Sequence, residues 1–262
     1  IESLPYYKDK TVLNTMKVKP FTIDKLQIKI KPQISTDKNK ELTQKNPCPS
    51  VAENPIKLNV IRLIPNQIIT EKWSTTISSE QRVASSEQRA KNQKPKTKNH
   101  KRFFFDSDTE RDILKLVVVE RHKKTGNIGI GFVSGFGLKK GAIASSVAHD
   151  SHNLIAVGTN DKDIYSAIKQ LVKIGGGFVA IDKAKVKAEL ALPIAGLMSD
   201  DKAENVSRQL KELLQVVKLW GCKIDNPFIA LSFLALPVIP ELKLTDQGLF
   251  DVTKFKTIGL FE

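Results

Sequence analysis

The sequence predicts an α/β protein: a mixed C-terminal α/β domain over residues 103–262, with part of a small β domain in residues 1–72 and a disordered basic linker at 73–102 before it. Three observations carry this reading. Beyond residue 113, short apolar runs bounded by Gly, Asn and Pro alternate with two amphipathic stretches of helical period, the pattern of strands and helices layered in one domain. Before it, Leu58 to Thr70 is rich in β-type residues and split by the turn pair Pro65-Asn66. Between the two, a stretch of Lys, Ser, Gln and Asn cannot bury enough apolar surface to order itself.

Taken in order, residues 1–30 read as irregular, with a short strand near Leu26 to Ile30, where Leu26, Ile28 and Ile30 alternate with polar neighbours. Residues 31–55 are polar and contain prolines, and Leu58 to Ile64 and Gln67 to Thr70 read as two strands. The 73–102 linker is long for a compact domain. Within it, Ser78 to Ala84 is followed by the closely similar Ser85 to Ala90, a short tandem duplication that a tolerant loop accepts. Phe103-Phe104-Phe105 ends the linker, three rings whose burial anchors a segment into a core. Ile113 to Glu120 is a largely aliphatic run, and Lys123 to Asn127 has the Gly and Asn content of a turn with positive φ, so a hairpin follows. On its second strand Gly129, Gly131, Gly135 and Gly137 leave one face nearly bare, open to close approach by other backbone. Small residues continue through Ala142 to Ala148, and Leu154 to Val157 is another strand.

Asp161 to Ile174 reads as a helix with Ile164, Ile168, Leu171 and Val172 on one face, Asn160 or Asp161 as its cap and Gly175 at its end. Gly175-Gly176-Gly177 is a turn and not a phosphate cradle, because no Lys-Ser/Thr pair follows and no helix opens from it. Gly129-x-Gly131 likewise fails as a dinucleotide fingerprint, its third glycine being misplaced. Phe178 to Ile181 and Lys185 to Leu190 make a hairpin around Asp182-Lys183. Asp201 and Glu204 offer a capping pair for a longer helix with an apolar stripe of Val206, Leu210, Leu213, Leu214 and Val217, closing at Trp220-Gly221. Phe228 to Leu236 is densely apolar, but Pro227, Pro237 and Pro240 forbid a long regular helix. Pro237 to Gly248 reads as an ordered loop.

Composition bounds the function. The 262 residues are 40% hydrophobic, enough for a real core. No apolar run reaches the roughly 18 to 20 residues of a spanning helix, and the first residues are too polar for a secretory signal. Cys48 and Cys222 provide no disulfide framework; each reads as a structural thiol, and the cytoplasm is the expected compartment. Of the net charge of +14, +10 lies in residues 1–100, and the densest basic cluster, Lys91, Lys94, Lys96, Lys98, Lys101 and Arg102, runs just past that boundary. Without interleaved aromatic residues this is a solvated linker, and nucleic acid is not an expected partner.

Two of the four histidines sit in one pentapeptide, His149-Asp150-Ser151-His152-Asn153, delivered by glycine-punctuated strands to a polar loop. Imidazoles beside a carboxylate suit metal ligation, proton transfer or hydrogen bonding to a heterocycle. Such a loop can equally use Asp, Ser and Asn to satisfy its own backbone. A complete metal site is not expected here: His-x-x-His is loosely spaced, no Cys lies nearby, and His100 and His122 are the only other imidazoles.

Read in order, Gly126 to Val133, Gly135 to Ala142, Ala148 to Asn153 and Val157 to Asn160 resemble the C-terminal domain of bacterial adenine deaminases, a family of the amidohydrolase superfamily. Leu192 to Ser199, Ser232 to Pro240 and Leu244 to Leu249 are similar to that family's later blocks. Asn59 to Thr70 resembles the segment preceding the domain, and Thr11 to Pro20 the segment that follows the family's N-terminal metal-binding barrel. No His-x-His, the barrel's hallmark pair, occurs in these residues, and the chain begins at Ile1, so a partial enzyme is expected, inactive by itself.

The resemblance implies hydrolytic deamination of adenine to hypoxanthine and ammonia. Its divalent metal, manganese or iron, would be held mainly by the barrel, in cis or on a separate chain, with none expected in this chain alone; a homo-oligomer is the expected assembly. On this reading His149 to Asn153 packs over the barrel mouth. His149 or His152 hydrogen-bonds purine nitrogens, Asp150 holds an imidazole tautomer, and Ser151 and Asn153 position the substrate. A non-catalytic interaction module and a basic nucleic-acid-binding protein stand as alternatives from other classes.

Overall fold

The computed structural model describes residues 13, 15–30, 56–65, 67–77 and 103–262. The polar 31–55 stretch with Cys48, the duplication and the basic cluster of the linker, and His100 lie outside the described residues.

The chain is a mixed α/β fold built on one eight-stranded sheet. Its strands are β2 (Ile56–Leu63), β3 (Thr70–Ile77), β5 (Leu114–Val119), β6 (Ile128–Ser134), β7 (Ala142–Ser145), β8 (Leu154–Gly158), β9 (Gly177–Asp182) and β10 (Lys185–Ala191). They lie in the order β10-β9-β7-β8-β5-β6-β2-β3, with β2 and β6 parallel and every other neighbouring pair antiparallel. Two smaller pairings flank it: β1 (Ile28–Ile30) with β4 (Phe103–Phe105), and the three-stranded β11 (Leu242–Thr245), β12 (Gly248–Asp251) and β13 (Lys256–Thr257).

Both faces of the central strands are covered, which explains their near-continuous apolar runs. Along β5, Leu114, Leu116 and Val118 enter one buried cluster, and Val117 and Val119 enter another. The same alternation divides Ile143 from Ala142 and Ala144, and Ile155 and Val157 from Leu154 and Ala156. Helix α1 (Asp161–Lys173), with Leu26 and the partly buried Met16, Val18 and Phe21, packs on the second face. Helix α2 (Ala203–Leu219), helix α3 (Pro227–Phe233) and the β11–β12 hairpin pack on the first.

Local chemistry sets most boundaries as expected. Asn160 caps α1 by accepting from the Asp163 N–H, Asn226 caps α3 by accepting from the Ile229 N–H, and Gly175 takes φ +78 after α1. Lys183 and Ala184, both at positive φ, turn β9 into β10. Of the four glycines expected on one strand face, Gly129 and Gly131 lie on β6, where a Cβ on Gly129 would run into the Thr245 carbonyl and one on Gly131 would meet Leu244 and Leu249 at 3.3 Å; Gly135 and Gly137 follow the strand at positive φ. Phe105 is buried against Phe132, ring centroids 4.8 Å apart.

Four expectations need correction. Pro237 to Gly248 is not all loop, because Leu242–Thr245 pairs with Gly248–Asp251 as a hairpin; its Leu244 and Leu249 pack on the glycine face of β6, and Leu242 is buried in the same cluster. The second of the two early strands begins at Thr70, where it was expected to end, so residues 73–77 belong to the sheet and not to a linker. The two strands expected in a small β domain also join the central sheet: β2 pairs with β6 at Ile61 and Arg62, and Phe261 bridges to Leu58 of β2. Finally, α2 starts one residue later than its capping pair implied. Lys202 is the N-cap, without a side-chain bond, while Asp201 accepts from the Lys202 N–H and from Asn205.

Candidate functional site

The 146–153 connection leaves β7 and returns into β8 at one end of the sheet. The Gly175–Gly177 turn and the 192–199 loop come to the same end: Ser146 Oγ donates to the Gly196 carbonyl at 2.6 Å and accepts from the Gly177 N–H at 2.7 Å. Glycine is required here for space, since a Cβ on Gly176 would meet the Gly196 Cα at 2.6 Å.

The pentapeptide divides by depth. Asp150 and Ser151 are exposed, His149 and His152 are half-buried, and Asn153 is buried. The two imidazoles face one another edge to face with centroids 5.8 Å apart, and His149 also lies 4.9 Å from the Phe233 ring of α3. They therefore sit on an accessible edge and are not sealed inside the core. His152 takes φ +49 as the loop turns inward, and its amide donates to the Ala148 carbonyl at 2.5 Å.

Asn153 is committed to the protein. Its Oδ1 accepts from the Arg121 N–H at 3.3 Å and its Nδ2 donates to Asp246 at 3.4 Å, an aspartate that also accepts from Asn127 at 3.0 Å. It orients the loop rather than facing open space. Ser151 offers its carbonyl to His122 Nε2–H at 2.7 Å. Asp150 makes no hydrogen bond to either imidazole among the described residues; it acts on His152 through its charge.

The electrostatics favour the neutral form of His152. Burial lowers its pKa most, the neighbouring His149, Arg121 and His122 charges lower it further, and Asp150 opposes them. Its Nδ1 is buried without a hydrogen-bond partner among the described residues. A neutral imidazole offers one donor and one acceptor at once, which an imidazolium does not.

Three contributors were not singled out from sequence: Glu120, Arg121 and His122, a charged triplet abutting a fully buried strand, which was itself the signal available. Arg121 is 2% exposed; its Nε donates to the His152 carbonyl and its terminal nitrogens reach Thr15 Oγ1 at 3.2 Å and the Ala195 carbonyl at 3.1 Å. Burial lowers its pKa. Glu120 accepts from the amides of His122, Lys123 and Thr125 at 2.5, 2.6 and 3.0 Å and so builds the β5–β6 turn. Burial alone would push its carboxyl up, but these bonds outweigh it and hold the pKa below the ordinary value.

No group of three or more His, Cys, Asp or Glu gathers to hold a metal among the described residues. Among the same residues, no helix is long and apolar enough to cross a membrane.

A mixed sheet with a polar imidazole loop at one end, braced from within by a buried guanidinium, defines an α/β domain with a surface site. The model of the adenine deaminase C-terminal domain matches residues 87–256, and the chain belongs to that family. It is 44% identical over 250 residues to an adenine deaminase of Dehalococcoides mccartyi, covering 95% of this chain and 36% of that protein. With an adenine deaminase of Desulfatibacillum aliphaticivorans the identity is 49%, over 79% of this chain and 32% of the relative. One from Archaeoglobus fulgidus is 54% identical over 58% of this chain and 27% of its own length. The chain thus spans about a third of the length of the relatives it matches.

Proposed function

We propose that this chain is the part of an adenine deaminase that closes the substrate pocket, its 149–153 loop lying over a metal-binding barrel supplied by residues outside this chain, in cis or on a separate polypeptide. The reaction is hydrolysis of adenine to hypoxanthine and ammonia, with the divalent metal, manganese or iron, held by the barrel and a cytoplasmic homo-oligomer as the working form. The observation that carries the reading is the pair of half-buried imidazoles with ring centroids 5.8 Å apart; burial and nearby positive charge favour the neutral form of His152.

Adenine presents ring nitrogens that accept and N–H groups that donate, so a neutral imidazole complements its edge in either sense. The His149 ring is tilted against Phe233, and Ile229 one turn earlier on α3 is 53% exposed, an apolar surface that fits a flat heterocycle and a covering domain. Asp150 and Ser151 lie on the outer rim, where they contact substrate or barrel; Asn153 acts by holding the loop's orientation.

The test uses a protein carrying both this domain and the metal-binding part, or the two mixed, with ammonia release as the assay. His149→Ala and His152→Ala are each expected to lower kcat/KM for adenine roughly 10- to 100-fold, the loss of one hydrogen bond to a buried polar ligand. Turnover and affinity unchanged in both variants would refute the reading.

A further inference from the structure

We infer that Arg121 is the positioning residue of the 149–153 loop: from inside the domain, one guanidinium sets where the two imidazoles stand. Four of its contacts reach three separate segments. Nε donates to the His152 carbonyl, one terminal nitrogen to Thr15 Oγ1 at 3.2 Å with Met16 Sδ at 3.9 Å, and the other to the Ala195 carbonyl at 3.1 Å. Its backbone does the same work in parallel, accepting from the Lys17 N–H at 2.9 Å and donating to Asn153 Oδ1 at 3.3 Å.

Geometry makes this arginine's task. A planar fork can bind three acceptors lying in one plane, whereas a lysine ammonium reaches a compact set around one point. Space is as restrictive: a Cβ on Gly196 would meet an Arg121 terminal nitrogen at 3.0 Å and the Met16 methyl at 2.5 Å, so the 192–199 loop packs directly on the guanidinium. Among the described residues, none of its hydrogen-bond acceptors is a carboxylate. The charge is therefore stabilised only while all three loops stay in place, and the loops stay in place through the charge.

His152 carries a second sign of the coupling. The charged and titratable groups bearing on its ring are Arg121 from the end of β5, His122 from the turn after it, and His149 and Asp150 from its own loop. Removing the Arg121 charge removes one of the positive neighbours.

The inference rests on the reading that this loop meets substrate, and the experiment separates the two. In the protein carrying both this domain and the metal-binding part, Arg121→Lys and Arg121→Met are compared with wild type by amide exchange of residues 149–153 and of helix α1, by the His152 titration in NMR, and by kcat and KM for adenine. Exchange in 149–153 is expected to rise about tenfold or more in both variants while α1 stays protected, because carbonyls that lose a charged donor loosen locally. The His152 titration moves to higher pH in Arg121→Met and stays near wild type in Arg121→Lys, which retains the charge. Adenine kcat/KM falls in both. Wild-type exchange in 149–153, or an equal rise throughout α1, overturns the positioning role. A loosened loop with unchanged turnover leaves Arg121 as the loop's anchor and refutes the loop's substrate role. If His149→Ala loses activity while both Arg121 variants keep loop order and turnover, the pocket reading survives and this inference falls.

Discussion

Strand β5 has a buried cation at either end, Lys115 one residue into its start and Arg121 two residues past its last, and the two are satisfied in opposite ways. Lys115, 1% exposed, donates to Asp161 at 2.5 Å and to Asp106 at 3.2 Å, with the Leu26 carbonyl at 3.4 Å. Asp161 opens helix α1, where the helix dipole also favours a carboxylate. Among the described residues, Arg121 has carbonyls, a hydroxyl and a thioether as partners and no carboxylate. A countercharge on a regular element makes a framework contact whose partners have no other position. Carbonyls borrowed from three loops make an adjustable one, and the imidazole loop is at that end.

That contrast is open to experiment. The largest effect is expected at the framework end: Lys115→Met leaves Asp161 as a buried charge without its ammonium and should cost about 3–5 kcal/mol in denaturant unfolding. Adding Asp161→Leu should return most of it, since replacing both members of a buried pair is nearly neutral. If the single variant costs under about 1 kcal/mol, the two ends are not energetically different and the comparison fails.

A third buried cation sharpens it. Lys243 on β11 is fully buried, donates to the Ile68 carbonyl at 3.1 Å, and is pushed down by burial to about 8 from 10.5. The folded state then holds fewer protons than the unfolded chain between these values, so stability rises as pH climbs from about 8 to 10.5. A displacement from 10.5 to about 8 corresponds to roughly 3 kcal/mol. Lys243→Met is expected to flatten that rise in thermal melts and to be stabilising near pH 7; an unchanged slope would show that this ammonium is better served than the Ile68 carbonyl implies.

The smallest effect belongs to Glu120, the anion beside Arg121. Glu120→Gln should cost about 1–3 kcal/mol at pH 7, because three amides and a hydroxyl lose a charged acceptor. Its folded pKa is lowered, so its contribution is present above the unfolded carboxyl value and is lost as pH falls through the folded one. Wild type and variant should converge in acid. A constant gap at every pH would assign the cost to the turn's shape and not to charge.

Much of the architecture was legible because it rests on local rules. The hairpin around Lys123 to Asn127, the caps at Asn160 and Gly175, and the stripe from Val206 to Val217 follow from turn chemistry and period alone. The β11–β12 hairpin was not legible, because Pro237 and Pro240 mask a strand whose partner face is the glycine side of β6. Arg121 was passed over for a similar reason: a charged residue after a strand reads as solvated until three loops are seen closing on it.

For this protein, then, residue order determined the class of fold, the position of the imidazole loop and the family blocks that carry its resemblance, since each depends on neighbours within a few residues. Only the folded chain decided that β2 and β3 extend the central sheet, that Asn153 turns inward while His149 and His152 remain at an accessible edge, and that Arg121 holds them there. Those outcomes depend on contacts between residues as far apart as Thr15, Arg121, His152 and Ala195, and burial in common, not sequence spacing, brings them together.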